Sequence, residues 1–94
     1  MTVTAEFVTD CPKWKGDARL YQLSEPVDTY VGTTEYVVVS AVDVPYSGPE
    51  TYVFAASKDG EATSWSELDG SFEGALDHDR ALDGFLAYTN GEKS

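Results

Sequence analysis

The chain has 94 residues, 17 of them acidic and six of them lysine or arginine, so its formal net charge is −11 and its length allows one domain. This charge excludes direct nucleic-acid binding, which needs Lys and Arg to displace the counterions of phosphates, and it disfavours anionic membranes. Because the chain has one cysteine, no secretory signal and no run of about 18 apolar residues, we expect a cytoplasmic protein with no intramolecular disulfide and no membrane span.

The N-terminal third predicts two strands and a basic loop. Apolar residues alternate near the N-terminus as in an edge strand, and residues 13–16 (KWKG) form the only basic cluster, so residues 1–16 are expected to hold a strand and a basic loop. Residues 18–23 predict a second strand, which Pro26 is expected to end. Residues 27–34, rich in Gly, Thr and Asp, are interpreted as a linker long enough to be mobile.

The central stretch, residues 35–65, predicts an antiparallel meander around which the rest of the chain is organised. Residues 36–42 include three consecutive valines and are apolar on both faces, as in a central strand covered on two sides. Residues 51–56 repeat this pattern. Pro45 and Pro49 lack backbone donors and are expected to lie outside the two strands.

The C-terminal half predicts a reversal, a further strand and a helix. An Asp-Gly pair at residues 59–60 favours a tight reversal into a third strand near residues 61–65. A weak strand is expected around Phe72, a helix over residues 77–87 with an aspartate as its N-cap, and a frayed tail at residues 89–94. These elements predict an α+β fold, a small antiparallel β-meander of about four to five strands with one short C-terminal helix packed on it.

No motif indicates catalysis, a metal or a cofactor. The cluster Asp77-His78-Asp79 is the most suggestive, but adjacent residues of a helix point in different directions and the chain has no second histidine. A Cys11–His78 dyad is left open, with no motif in its support. Pairs of carboxylates are too abundant in this chain to be informative. We therefore expect a non-enzymatic protein with no catalytic residues, no metal and no cofactor.

Residues 36–82 carry a resemblance to a known group. They contain SGPETYVF (47–54), WSELDGS (65–71) and LDH (76–78). In these segments the chain resembles a family of small uncharacterised proteins of actinobacteriophages, especially those of mycobacteria. The resemblance implies phage origin and synthesis in the bacterial cytoplasm, and it implies no activity. It also favours a role in binding and modulating a host protein, which is common among small phage proteins outside the structural genes.

The leading hypothesis is therefore a phage accessory protein that binds a host or phage protein. Twelve aromatic residues are many for this length, and an exposed sheet edge or an aromatic patch that includes Tyr46, Tyr52 or Trp65 is expected to make the contact. A sheet edge could also pair across a two-fold axis, so a homodimer is left open.

Two alternatives remain, a minor virion or assembly component and an acidic nucleic-acid mimic that occupies a host DNA-binding protein. Mimicry needs carboxylates in two rows at phosphate-like spacing on one face. The carboxylates available for it are Asp43, Glu50, Asp59, Glu61, Glu67, Asp69, Glu73, Asp77, Asp79 and Asp83.

Overall fold

The structure, a computed structural model, describes residues 3–14, 16–46 and 48–91. Its elements are β1 (Ala5–Asp10), β2 (Asp17–Thr29), β3 (Gly32–Val44), β4 (Gly48–Ala56), β5 (Phe72–Glu73) and α1 (His78–Thr89). The strands form one antiparallel sheet in the order β1-β2-β3-β4-β5, so each strand pairs with the next along the chain. The predicted α+β fold, a β-meander with one short C-terminal helix, is confirmed.

The central position predicted for the valine-rich strand is also confirmed. Strand β3 lies in the middle of the sheet, and Val37, Val38 and Val39 have no exposed surface. Because side chains alternate along a strand, Val37 and Val39 pack with α1 whereas Val38 packs on the opposite face. The sheet therefore has two covered faces, and α1 occupies only one of them.

The prediction of a linker at residues 27–34 is wrong. Strands β2 and β3 stay paired as far as Thr29 and Gly32, so only residues 30–31 form the turn. The register shifts between Gln22 and Val27, and this irregularity lets β2 pass Pro26 without needing its missing N–H. The strand therefore continues beyond the proline that was expected to end it.

Pro49 was expected outside the strands, but it lies in β4 opposite Asp43. Its carbonyl accepts a hydrogen bond from the N–H of Gly74 at 2.8 Å. In an antiparallel ladder the N–H and C=O of one residue point to the same side, so the missing donor of Pro49 faces away from β3. The proline therefore removes no hydrogen bond from the β3–β4 ladder.

A third strand at residues 61–65 was also predicted and is not formed. The Asp-Gly reversal is present, since Gly60 N–H donates to the Ser57 carbonyl at 3.0 Å, but beyond it only Ala62 makes a β-bridge, to Ala56. The segment then places Trp65 over the sheet face opposite α1 and buries Leu68 in the core beneath α1. The carbonyls of Ala55 and Val53, two positions apart on β4, accept hydrogen bonds from the N–H groups of Thr63 and Leu68, which are five positions apart. The segment therefore loops away from β4 instead of pairing with it residue for residue, and the next strand is β5, at the predicted Phe72.

Helix α1 begins as predicted and extends slightly further. Asp77 is its N-cap and accepts a hydrogen bond from Arg80 N–H at 3.1 Å. Thr89, which was expected in the frayed tail, belongs to the helix, and residues 92–94 of that tail lie outside the described residues. The Asn90 side chain then makes two hydrogen bonds to the backbone of Val3, at 2.7 and 3.0 Å. The end of α1 is thereby fastened to the first described residue of the chain.

Candidate functional site

An open groove of about 790 Å³ lies on the sheet face opposite α1. Four aromatic side chains line it, Trp14, Tyr52, Phe54 and Trp65, and we call it the aromatic groove. Trp14 comes from the loop between β1 and β2, Tyr52 and Phe54 come from β4, and Trp65 comes from the segment between β4 and β5. Three separate parts of the chain thus converge on one surface.

The local sequence explains why β4 presents its aromatic residues to the groove. Tyr52 and Phe54 alternate with Val53 and Ala55, which are buried in the core on the α1 side. Cys11 lies in the lining of the groove and also packs in the small apolar cluster beneath it, which includes Leu20. The groove therefore rests on a buried apolar layer of its own.

The aromatic rings contact one another closely. The ring centroids of Trp14 and Trp65 are 5.0 Å apart, those of Phe54 and Trp65 are 5.6 Å apart, and those of Trp14 and Phe54 are 5.7 Å apart. The Trp14 indole N–H donates to the Gly60 carbonyl at 2.9 Å, which fixes that ring. Trp65 nevertheless has 71% of its surface exposed. A large exposed aromatic side chain within such a cluster is typical of an interaction surface.

The rim of the groove is mainly acidic. Of the described residues that line it, Asp10, Asp59 and Glu61 carry negative charge and Lys13 carries positive charge. All four of these side chains are exposed. The groove thus combines an apolar aromatic surface with a local excess of carboxylates.

Two titratable groups of the groove have raised pKa values. The Tyr52 hydroxyl donates a hydrogen bond to the carboxylate of Glu50, and this bond is the main reason that the pKa of Tyr52 is raised. Burial is the main cause of the raised pKa of the Cys11 thiol, and the neighbouring Asp10 charge adds to it. Both groups therefore stay protonated at neutral pH.

The structure brings together two of the three predicted interaction residues. Tyr52 and Trp65 both line the groove, and the Phe54 ring lies within 6.0 Å of each of theirs. Tyr46 is fully exposed in the turn between β3 and β4 and is not among the described lining residues. Sequence reasoning did not assign Trp14 and Phe54 to a site, although the parity that Phe54 shares with Tyr52 was a signal.

The carboxylates considered for nucleic-acid mimicry are divided between different parts of the molecule. Asp59 and Glu61 line the groove, whereas Asp77, Asp79 and Asp83 belong to α1 or its cap. The inclusion of Glu50 among surface carboxylates is wrong, because its side chain is buried and bonded to Tyr52. The others are exposed: Asp43 on β3, Glu67 and Asp69 before β5, and Glu73 on β5.

The expected exposed sheet edge is formed by β1. This strand pairs with β2 on one side, and no described strand pairs with its other side. Phe7 and Val8 are both about half exposed there, and the Phe7 ring packs edge-on against Tyr21. The edge is therefore a second surface on which another chain could pair.

His78 and Cys11 lie in different environments and have different partners. His78 is buried at the start of α1, with its Nε2 atom 2.6 Å from the Asp17 carbonyl, whereas Cys11 lies beneath the groove on the opposite face. Asp77 is engaged as the helix cap. Within residues 3–14, 16–46 and 48–91, no three His, Cys, Asp or Glu side chains are grouped to hold a metal ion.

Two further findings bear on the site. In the part of the chain that the structure describes, no helix has the length and apolar character needed to cross a membrane. Comparisons with protein-family models, curated proteins and solved structures found no match to this chain.

Proposed function

We propose that this chain is a non-enzymatic bacteriophage accessory protein that acts in the bacterial cytoplasm, where it binds and modulates a host or phage protein through the aromatic groove. The observation that carries this proposal is the exposure of Trp65, 71% of its surface, within a cluster of aromatic rings. Trp and Tyr side chains are enriched among the residues that supply most of the binding energy at protein interfaces. The phage origin and the compartment are inferred from the resemblance of residues 36–82.

The groove has the features of a preformed contact surface. Trp14 is held by its hydrogen bond to Gly60, and the Phe54 ring is carried by a strand in the sheet. A partner would therefore bury Trp65 against side chains that are already ordered, which lowers the entropic cost of binding. Truncation of such an anchor costs about 2 kcal/mol or more, a loss of about 30-fold in affinity.

Affinity capture from a mycobacterial lysate tests the proposal with two matched variants. Trp65→Ala removes the exposed ring of the groove, and Tyr46→Ala removes an exposed ring outside it. We expect the wild type and Tyr46→Ala to retain the same protein and Trp65→Ala to lose it, with unchanged circular dichroism in all three. Capture that is equally strong with Trp65→Ala would contradict a role for the groove.

Three further results would support the other hypotheses. Capture of a DNA-binding protein that survives Trp65→Ala, but is lost when Asp79 and Asp83 are neutralised, would favour nucleic-acid mimicry. Recovery of the chain in purified phage particles would indicate a virion component. A dimer in solution that is lost on substitution in β1 would show that this edge pairs two copies of the chain.

A further inference from the structure

We propose that the aromatic groove binds an arginine side chain within a basic segment of its partner protein. This inference rests on the proposed function and adds the chemistry of the partner. The inference combines two properties of one surface, the exposed ring of Trp65 and the excess of carboxylates among the described residues that line the groove.

The charge of the groove selects a cationic partner. Asp10, Asp59 and Glu61 outnumber Lys13 among the described charged residues that line the groove, and the whole chain carries a net charge of −11. A neutral or anionic partner would have to bring these carboxylates close to its own surface without compensation. A basic segment would instead be attracted to the groove from a distance, and it would pair with the carboxylates at the rim.

The arrangement of the rings favours arginine over a compact ammonium group. The rings of Trp14, Phe54 and Trp65 contact each other, with centroids 5.0 to 5.7 Å apart, so they leave no space for a cation enclosed between them. A cation must therefore lie on the exposed surface of Trp65. A planar guanidinium can stack on an aromatic ring while its N–H groups pair with a carboxylate, which a lysine ammonium cannot do in the same way.

The same chain already contains this type of contact. The Arg80 guanidinium carbon lies 4.3 Å from the centroid of the Phe72 ring. At the groove the ring is an indole, which is the best partner for a cation among the aromatic side chains. An arginine supplied by another protein would repeat this contact on Trp65, with Asp59 or Glu61 as the paired carboxylate.

Titration with synthetic peptides tests the inference. The probe is a short peptide in which arginines alternate with apolar residues, and its controls carry lysine or the neutral isostere citrulline at the same positions. Tryptophan fluorescence reports the binding, since the only two tryptophans of the chain, Trp14 and Trp65, both line the groove. We expect the arginine peptide to bind about 10-fold tighter than the citrulline peptide and also tighter than the lysine peptide.

Two double variants, each of which removes two negative charges, show which carboxylates contribute to binding of the arginine peptide. Asp59→Asn with Glu61→Gln neutralises the groove, whereas Asp79→Asn with Asp83→Asn removes the same charge from α1. We expect the groove pair to weaken the arginine peptide about 10-fold and to reduce its salt dependence. The α1 pair should change the affinity by less than about 2-fold, because its two carboxylates are exposed to solvent on the opposite face of the sheet from the groove, where salt screens them.

Several results would overturn the inference. These are failure of the arginine peptide to bind, equal affinity for the arginine and citrulline peptides, and equal weakening by the two double variants. If cellular capture still depends on Trp65 in any of these cases, the proposed function stands and only the arginine preference falls. If capture is also unchanged by Trp65→Ala, the proposed function fails with it.

Discussion

Replacement of Gly70 by alanine should disrupt the contact between α1 and the segment that precedes β5. A Cβ atom at this position would lie 2.2 Å from the Ala81 carbonyl oxygen and 2.6 Å from the Phe85 nitrogen. Both are backbone atoms of α1, so no side-chain rotation relieves the overlap. Gly70 also has a φ of +99°, a conformation that residues with a side chain rarely adopt.

Two contributions determine the loss of folding free energy expected for Gly70→Ala. An unfavourable positive φ costs about 1–3 kcal/mol, and an added methyl group that forces the packed backbone to move costs about 1–3 kcal/mol. The total, about 2–6 kcal/mol, is a large fraction of the roughly 5–15 kcal/mol that stabilises a typical domain. For a chain of this length we expect Tm to fall by about 10 °C or more.

Gly74→Ala is the matched control. Its φ is +106°, similar to that of Gly70, but a Cβ atom there would have no neighbour within 4 Å. Urea unfolding followed by circular dichroism should therefore show that Gly70→Ala loses about 1–3 kcal/mol more than Gly74→Ala. Equal losses in the two variants would show that α1 does not pack against Gly70.

Three further predictions concern single contacts. Asn90→Ala should lower the free energy of unfolding by about 1–3 kcal/mol in urea titrations, because both hydrogen bonds to the Val3 backbone are lost. Asn90→Asp keeps the acceptor, so a loss in Asn90→Ala that is no larger than the loss in Asn90→Asp would contradict this prediction. Asp77→Ala should cost about 1 kcal/mol through loss of the helix cap, measured in the same way, and an unchanged midpoint would contradict it. In an alkaline titration followed by tyrosinate absorbance, Tyr52 should ionise above the ordinary tyrosine pKa of 10.0, and Tyr52→Phe should remove that step. Because the folded-state pKa of Tyr52 is raised by the bond to Glu50, this stabilisation is present below the ordinary pKa of 10.0 and is lost as the pH rises through the raised value. An absorbance titration that Tyr52→Phe leaves unchanged above pH 10.0 would contradict the prediction.

The parts of the fold that could be predicted from the sequence are those fixed by local chemistry. Three adjacent valines require cover on both faces, so β3 could be placed at the centre of the sheet. The cap of α1 could be predicted because Asp77 bonds to a residue only three positions away. The outer part of the β2–β3 hairpin was missed, because residues 27–34 are mostly polar and follow Pro26, so they lack the apolar alternation that marks a strand.

The candidate site was predictable only in part. The alternation in β4 indicates that Tyr52 shares a face with Phe54, but the approach of Trp14 depends on a hydrogen bond to Gly60, 46 residues further along the chain. Tyr46 and Trp65 are both exposed aromatic residues in irregular segments, and only Trp65 contacts the aromatic rings of the groove. A sequence therefore indicates which aromatic residues are present, whereas the loops determine which of them meet.

Photo-crosslinking in cells of the proposed mycobacterial host shows whether a partner protein lies on the aromatic groove. A photoreactive phenylalanine analogue replaces Trp65 in one variant and Tyr46 in the other, both at exposed positions. We expect irradiation to join the chain to one discrete protein from position 65 and to give no such product from position 46. A product of the same mass from both positions, or from position 46 alone, would contradict the assignment of the aromatic groove as the binding surface.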